Sequence, residues 1–542
     1  MKKLLAYIWI LTIIVLVGIF LRTYNLHSWL KFRVDQVHDA SLVSQVVSGK
    51  SAWPLMGPFM SHSGDGGDHN ETNSFHIGPI YYYFQIISAK IFGNYADKMA
   101  YPDVFFAILS IPMLFFFLRI YFRKNLSLGI TGLYAISAYF VQYSRFAWNT
   151  NLIPFFVLLF LFSLHKFLEK NEKTAWTWVI LLGIAIGVGV QLHAIIMLLF
   201  PIVAFCVLLF SLKKNYQAWK KWAVVFLAVC VLNAPQIYSE LATNFSNTRI
   251  LFNFSSRANN GQATLSVGKL TLIKNDIDCN VEANAHFLAS YGSNSCSYNL
   301  LSSTIYEKIR TRNFSKAFED LIPRIFMLTS IIFSVLGYFL LFRYNEKESE
   351  DSKKYFLRLI ILYVIISFII MIPLGVDKFN DLRYYTTTFF VPYVFLGFLI
   401  NFISEKFSRK QIYIIFAIFG LLILTNITAL VTITASFLSG NRTCGAKTIV
   451  IGELESVAEY MMTDSNGQKL IYFGGDKTFK VIYKPLDYIL RKHDVASVPI
   501  SGEDSQLLQD KISAYTISCG DDLKNRYPYK KIGGIYVYRL NN

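Results

Sequence analysis

The chain has 542 residues, 54% of them hydrophobic and 16% aromatic, with only 16% charged. Soluble domains carry about 25% charged residues, so something other than water solvates much of this surface, and the ordinary soluble and disordered classes are excluded. The net charge of +17, from 52 Lys+Arg against 35 Asp+Glu, fits cationic loops beside a bilayer. With no recognisable binding module accompanying the charge, a nucleic-acid partner is not expected.

Met1-Lys2-Lys3 opens the chain, followed by an apolar run to about Leu21 and then Arg22, with no small-residue cleavage site. This reads as a signal anchor whose lysines hold the N-terminus in the cytoplasm, so residues 22–75 face outwards. Further spans are expected near 99–121, 126–143, 149–168, 175–191, 194–212, 219–238, 322–342, 355–374, 384–404 and 412–438. With the first span they make about eleven, each long enough for a hydrocarbon core of about 30 Å.

The segment 77–92 is marginal, and charge decides its placement. If it does not cross, the clusters around Arg123, Lys166, Lys213, Lys347 and Lys406 all lie inside. It therefore reads as an amphipathic helix at the outer interface, with its tyrosines at headgroup level. The chain then divides into an N-terminal transmembrane module (1–238, with a first outer loop 22–98), a large outer loop (239–321), C-terminal transmembrane helices (322–438) and an extracytoplasmic domain (439–542).

Cys206 and Cys230 fall within spans, whereas Cys279 and Cys296 share the outer loop and Cys444 and Cys519 share the tail. An even pair in each outer segment suits an oxidising compartment, so disulfides Cys279–Cys296 and Cys444–Cys519 are expected, with free thiols as the alternative. The tail mixes short β-like runs, Lys469 to Phe473 and Gly534 to Tyr538, with a helix from about Glu453 to Met462. That pattern predicts a small α/β domain.

Ionisable residues are nearly absent from the middles of the spans, which argues against an ion-coupled transporter. Polar and charged residues gather instead at the outer side: Arg33, Asp35, His38, Asp39, His76, Asp103, Arg145, Gln191, His193, Asp377, Lys378, Asp381 and Arg383. A carboxylate in such a site takes a proton from a hydroxyl nucleophile, and cationic groups hold a departing phosphate. The loop residues His62, Asp65, Asp68, His69 and Glu71 show no established metal-ligand spacing and read as a polar loop over the site. A divalent metal remains the alternative, and no other cofactor is expected.

Val34-Asp35-Gln36-Val37-His38-Asp39-Ala40, right after the first span, resembles the Asp-Glu motif of the C-type glycosyltransferases. The closest patterns are those of protein O-mannosyltransferases and of aminoarabinose transferases acting on lipid A. His76-Ile77-Gly78-Pro79-Ile80-Tyr81-Tyr82-Tyr83 resembles their His-Pro-Pro-Leu or Lys-Pro-Pro-Leu-Tyr-Tyr segment. Ser144-Arg145-Phe146 resembles a Ser-Arg-Tyr, and Arg383-Tyr384 with Pro392 a late Arg-Tyr and proline pattern. The match spans roughly 1–240 and, more loosely, 320–404. Gln36 stands where the family has Glu, and Ile77-Gly78 follow His76 in place of the usual residues.

The resemblance implies a polytopic α-helical membrane protein of the C-type glycosyltransferase fold. Its implied activity is inverting transfer of a sugar from a polyprenyl-phosphate donor to a protein, lipid or glycan acceptor at the outer face of a bacterial plasma membrane. Asp35 is then the catalytic base, and Arg145, Arg383 and His76 hold the donor phosphate. Gln36, His38, Asp39, Tyr82, His193 and Tyr384 stand behind them or against the acceptor. A flippase for lipid-linked sugars or polysaccharides is the alternative.

Overall fold

A computed structural model describes residues 2–59, 74–169, 175–251, 269–290, 314–372, 382–406, 411–439, 449–475, 479–499, 513–520 and 523–540. The helices begin with α1 (Lys2–Thr23), α2 (Val34–Val47), α3 (Ile80–Phe92), α4 (Ala96–Met99), α5 (Tyr101–Arg119), α6 (Lys124–Ile136) and α7 (Ala138–Tyr143). Next come α8 (Ile153–Leu168), α9 (Ala175–Gly189), α10 (Ala194–Lys214), α11 (Ala218–Leu232), α12 (Ala234–Ala242) and α13 (Lys269–Ala289). Then follow α14 (Phe314–Lys347), α15 (Asp351–Met371), α16 (Val391–Lys406) and α17 (Gln411–Leu438).

Among the described residues, seven helices are long and apolar enough to cross a membrane, or up to nine if each of two bent pairs is one span. The chain is an integral membrane protein. About eleven spans were expected, and the difference has a local cause. The 126–143 segment is broken at Ser137 into α6 and α7, and α9 has only 15 residues. No proline makes the break at Ser137. Side chains replace the lost ladder instead: Arg22 donates to the Ala135 carbonyl at 2.9 Å, and the Ala138 N–H donates to Asn426 Oδ1 at 3.1 Å. Without such partners, a break in an apolar bundle would leave backbone groups unsatisfied.

The helix expected at the outer interface is α3, and its surroundings differ from the expectation. Tyr81 and Tyr82 are buried in the protein interior and do not face lipid headgroups. Thirteen residues at about 1.5 Å rise each reach only about 20 Å, short of a hydrocarbon core.

The loop expected over 239–321 contains α13, whose buried face carries Asp276, Glu282, Asn284 and His286. Its last carbonyls dock on the Ser137 break. Ser137 Oγ and Tyr393 OH both donate to Phe287 O, and Asn426 donates to Leu288 O. A polar helix is thus held among apolar ones by satisfying its C-terminal carbonyls with side chains.

The tail folds as expected into a small α/β unit. Helices α18 (Ile451–Asp464) and α19 (Phe479–Lys492) accompany β1 (Leu470–Gly475), β2 (Ala496–Pro499), β3 (Ala514–Ser518), β4 (Tyr529–Ile532) and β5 (Ile535–Arg539). The sheet order is β2-β1-β3-β5-β4, with β1 parallel to β2 and β3, and β5 antiparallel to β3 and β4. This unit sits on the segment after α1. Ile451 N–H donates to Leu30 O at 2.9 Å, Gly452 N–H donates to Ser28 O at 3.2 Å, and Lys492 reaches Ser44 Oγ at 2.8 Å.

Candidate active site

Helix α2 starts where Gln36 Oε1 accepts the Arg33 backbone N–H at 3.3 Å. Gln36 is therefore buried as a helix-start partner, a task its amide performs without a charge. Asp35 lies in the first turn, exposed to solvent, and its carboxylate makes no hydrogen bond among the described residues. Asp39, one turn on, is buried. It accepts from Tyr82 OH at 2.8 Å and lies 3.5 Å from His38 Nδ1. Burial pushes the Asp39 carboxyl above its ordinary value, against the opposing hydrogen bonds of His38 and Tyr82. Of the two carboxylates, one is available for proton transfer and the other is built into the wall.

Helix α3 is positioned from its first residues. Gln191 Oε1 accepts the Ile80 N–H at 3.2 Å, while its amide donates to Gly187 O and Leu232 O. A side chain at Gly78 would meet Gln191 at 2.2 Å, so glycine after Ile77 is what lets the two approach. His76 Nδ1 donates to Gly57 O at 2.9 Å, and its backbone is clasped from both sides by Asn247. The Phe59 ring stands between His76 and His38, with centroids 6.0 and 5.5 Å away.

Asp103, fully buried at the start of α5, joins α3 to the segment after α7. It accepts from Tyr81 OH at 3.1 Å, Trp148 N–H at 3.0 Å and Asn151 Nδ2 at 3.2 Å. The sequence marked Asp103 only as one polar residue among several, and it gave Tyr81, Trp148 and Asn151 no role in the site. The legible signal was a carboxylate in the first turn of a span, followed about 45 residues later by an Asn/Trp-rich connection. Arg145, in that connection, donates to Leu21 O at 2.8 Å and Tyr24 O at 2.6 Å, closing the C-terminal end of α1. Burial lowers its pKa to about 10.

A second cluster meets the first at Trp148. The Arg383 guanidinium lies 5.0 Å from the Trp148 ring centroid and 4.8 Å from that of Tyr384, and it donates to Tyr384 OH at 2.9 Å. The His193 ring is 5.6 Å from Tyr384. Its Nδ1 accepts the Ile195 N–H at 3.2 Å as the cap of α10, which leaves the proton on Nε2. Burial, and then the positive charge of Arg383, pushes His193 down to about 4, so the ring is neutral at physiological pH.

The structure thus links Asp39–Tyr82 through neighbouring Tyr81 to Asp103, Trp148, Arg383 and His193. Arg145 and His76 are instead engaged with backbone carbonyls. Asp377, Lys378, Asp381 and the polar loop 61–73 lie outside the described residues. Among the described residues no group of three His, Cys, Asp or Glu is arranged to hold a metal ion. Cys279 and Cys519 are disulfide-bonded and Cys206 and Cys230 are free; Cys296 and Cys444 lie outside the described residues.

Residues 76–238 match the family model described as dolichyl-phosphate-mannose-protein mannosyltransferase. Across nearly the whole chain the structure is similar to apo ArnT from Cupriavidus metallidurans, with a TM-score of 0.51 and 9% identity, over 99% of this chain and 98% of that one. The chain has the C-type glycosyltransferase fold. The same fold relates it to the archaeal oligosaccharyltransferase AglB from Archaeoglobus fulgidus, solved with an inhibitory peptide and a dolichol-phosphate. There the TM-score is 0.50 at 12% identity, over 95% of this chain and 69% of that one. No curated protein matches.

Proposed function

We propose that this protein is an inverting glycosyltransferase that moves a sugar from a polyprenyl-phosphate donor to an acceptor hydroxyl at the outer face of a bacterial plasma membrane. The observation that carries this reading is Asp35: an exposed carboxylate with no hydrogen-bond partner among the described residues, in the first turn of the helix that follows the first span. The fold, and the family match over 76–238, support the transfer chemistry. AglB, which shares the fold, is described in complex with a dolichol-phosphate, which supports a lipid-phosphate donor.

In this reading Asp35 removes the acceptor proton as the oxygen attacks the anomeric carbon. The bond from that carbon to the phosphate oxygen breaks, the polyprenyl phosphate leaves with the electron pair, and the configuration inverts. Arg383 is the cation best placed to hold the leaving phosphate, fixed in direction by Trp148 and Tyr384. Neutral His193 offers an Nε2–H donor beside it. Arg145 and His76 serve as positioning residues, since their donors are directed at backbone carbonyls. An outward site and outward C-terminal domain agree with the Lys/Arg clusters and with bonded Cys279 and Cys519.

Purified protein incubated with a panel of radiolabelled polyprenyl-phosphate sugars and membrane or peptide acceptors tests the proposal. Label should move from lipid to one acceptor class with the anomeric configuration inverted, and Asp35→Asn should stop it. Label that crosses a vesicle membrane on an unaltered lipid would replace this reading with the flippase.

A further inference from the structure

A cavity of about 370 Å³ opens between α13, α14 and α15, on the far side of the segment that carries Arg383. Leu382–Thr388 is a short 3-10 helix. Its Arg383 and Tyr384 meet Trp148 and His193, whereas the adjacent Tyr385 and Thr388 line this cavity. Most of the wall is apolar and is supplied by α14 and α15, two of the candidate spans. At its rim Val335, Phe342, Ile365 and Ile369 are exposed. On membrane-spanning helices such apolar faces are solvated by lipid, so the cavity opens sideways into the bilayer.

The polar end is a built site. Asp276 is 1% exposed. Its Oδ1 accepts from Tyr385 OH at 2.6 Å, and its buried Oδ2 has no hydrogen-bond partner among the described residues. Burial pushes this carboxyl up to about 6, against the Tyr385 hydrogen bond, leaving it anionic at neutral pH. One turn along α13, Asn280 Oδ1 accepts from Tyr338 OH at 3.3 Å. Burying a carboxylate oxygen is unfavourable unless a hydrogen-bond donor reaches it. A phosphate would be repelled there, which separates this cavity from any donor-phosphate site.

We infer that this cavity is a lipid site: it takes an acyl or alkyl chain from the bilayer and holds, at Asp276 and Asn280, a headgroup that presents hydrogen-bond donors, either hydroxyls or an ammonium. The inference does not depend on the transfer reaction. Its polar end lies one residue along the chain from Tyr384, so an occupant there bears on the placement of Arg383.

The test uses the full chain in lipid nanodiscs and three photoreactive chains of equal length: a diazirine-tailed monoacylglycerol, alkylamine and alkyl phosphate. Crosslinked peptides are mapped by mass spectrometry. The hydroxyl or the amine probe should label residues 334–342 and 361–371, and the stronger of the two names the headgroup. Asp276→Leu should lower that labelling by about tenfold. Ser367→Phe, which fills the cavity from the opposite wall without touching Asp276, should lower it as well and decides the matter if Asp276→Leu does not fold. Equal labelling by alkyl phosphate, or labelling unchanged in folded Ser367→Phe, overturns the inference.

Discussion

Tyr82 donates its hydroxyl to Asp39 Oδ1 at 2.8 Å, and this bond distinguishes two carboxylates one helical turn apart. Asp39 is committed to the wall between α2 and α3, and Asp35 is left exposed with no partner among the described residues. Their chemical identity hides two different tasks.

Asp35→Asn should therefore lower sugar transfer by about 10² to 10⁴-fold, the usual contribution of a general base, with the melting temperature unchanged. Asp39→Leu should instead destabilise the protein by about 1 to 3 kcal/mol, because the Tyr82 hydroxyl is left buried without an acceptor. Transfer rates and thermal melts on the two variants check this. The reverse pattern would assign the base to Asp39.

The neutral state of His193 has a pH signature. Its folded pKa of about 4 lies below the ordinary 6.5, so the folded state disfavours the proton that the unfolded chain accepts. The stability this gives is complete above pH 6.5 and is lost as pH falls towards 4. Arg383→Gln removes one of the two causes and should make the fall shallower. His193→Asn keeps a cap acceptor for α10 and should remove this contribution altogether. Denaturation midpoints compared at pH 7.5 and 4.5 give the answer.

Gly78→Ala should cost about 1 to 3 kcal/mol, because the new methyl group meets Gln191 at 2.2 Å. The two positions are directly coupled, so the same substitution should cost much less in a Gln191→Ala background. A double-mutant cycle of unfolding free energies measures the difference. Equal costs in both backgrounds would mean that the backbone of 77–79 moves freely.

Cys279 and Cys519 are bonded, and the proposed partners are Cys296 and Cys444. Peptide mapping under non-reducing conditions should recover Cys279–Cys296 and Cys444–Cys519, each worth about 2 to 4 kcal/mol. Recovery of a Cys279–Cys519 link would tie α13 to the C-terminal unit and discard both pairings.

Hydropathy located the seven to nine helices long enough to span among the described residues, but it did not reveal the break at Ser137 or the shortness of α9. Short aliphatic and aromatic runs likewise placed β1 and β5, and the motif placed Asp35 right after the first span. The sequence could not tell what meets what across long separations. Tyr81 and Tyr82 read as headgroup tyrosines because aromatic residues at an apolar edge usually are; two carboxylates on α2 and α5 draw them inwards. Arg145 reads as a phosphate ligand from its motif, and only the structure shows donors of its guanidinium directed at the carbonyls that end α1. Trp148, His193 and Arg383 come from three distant segments, and their meeting depends on how the helices pack. Helix α13 is the extreme case. Its composition is that of a solvated helix, and its burial follows from partners that periodicity does not reveal: the broken backbone at Ser137, Asn426 and Tyr393. Local propensity and solvent set the elements of this protein, while the pairing of its buried polar groups, decided only in three dimensions, set the site.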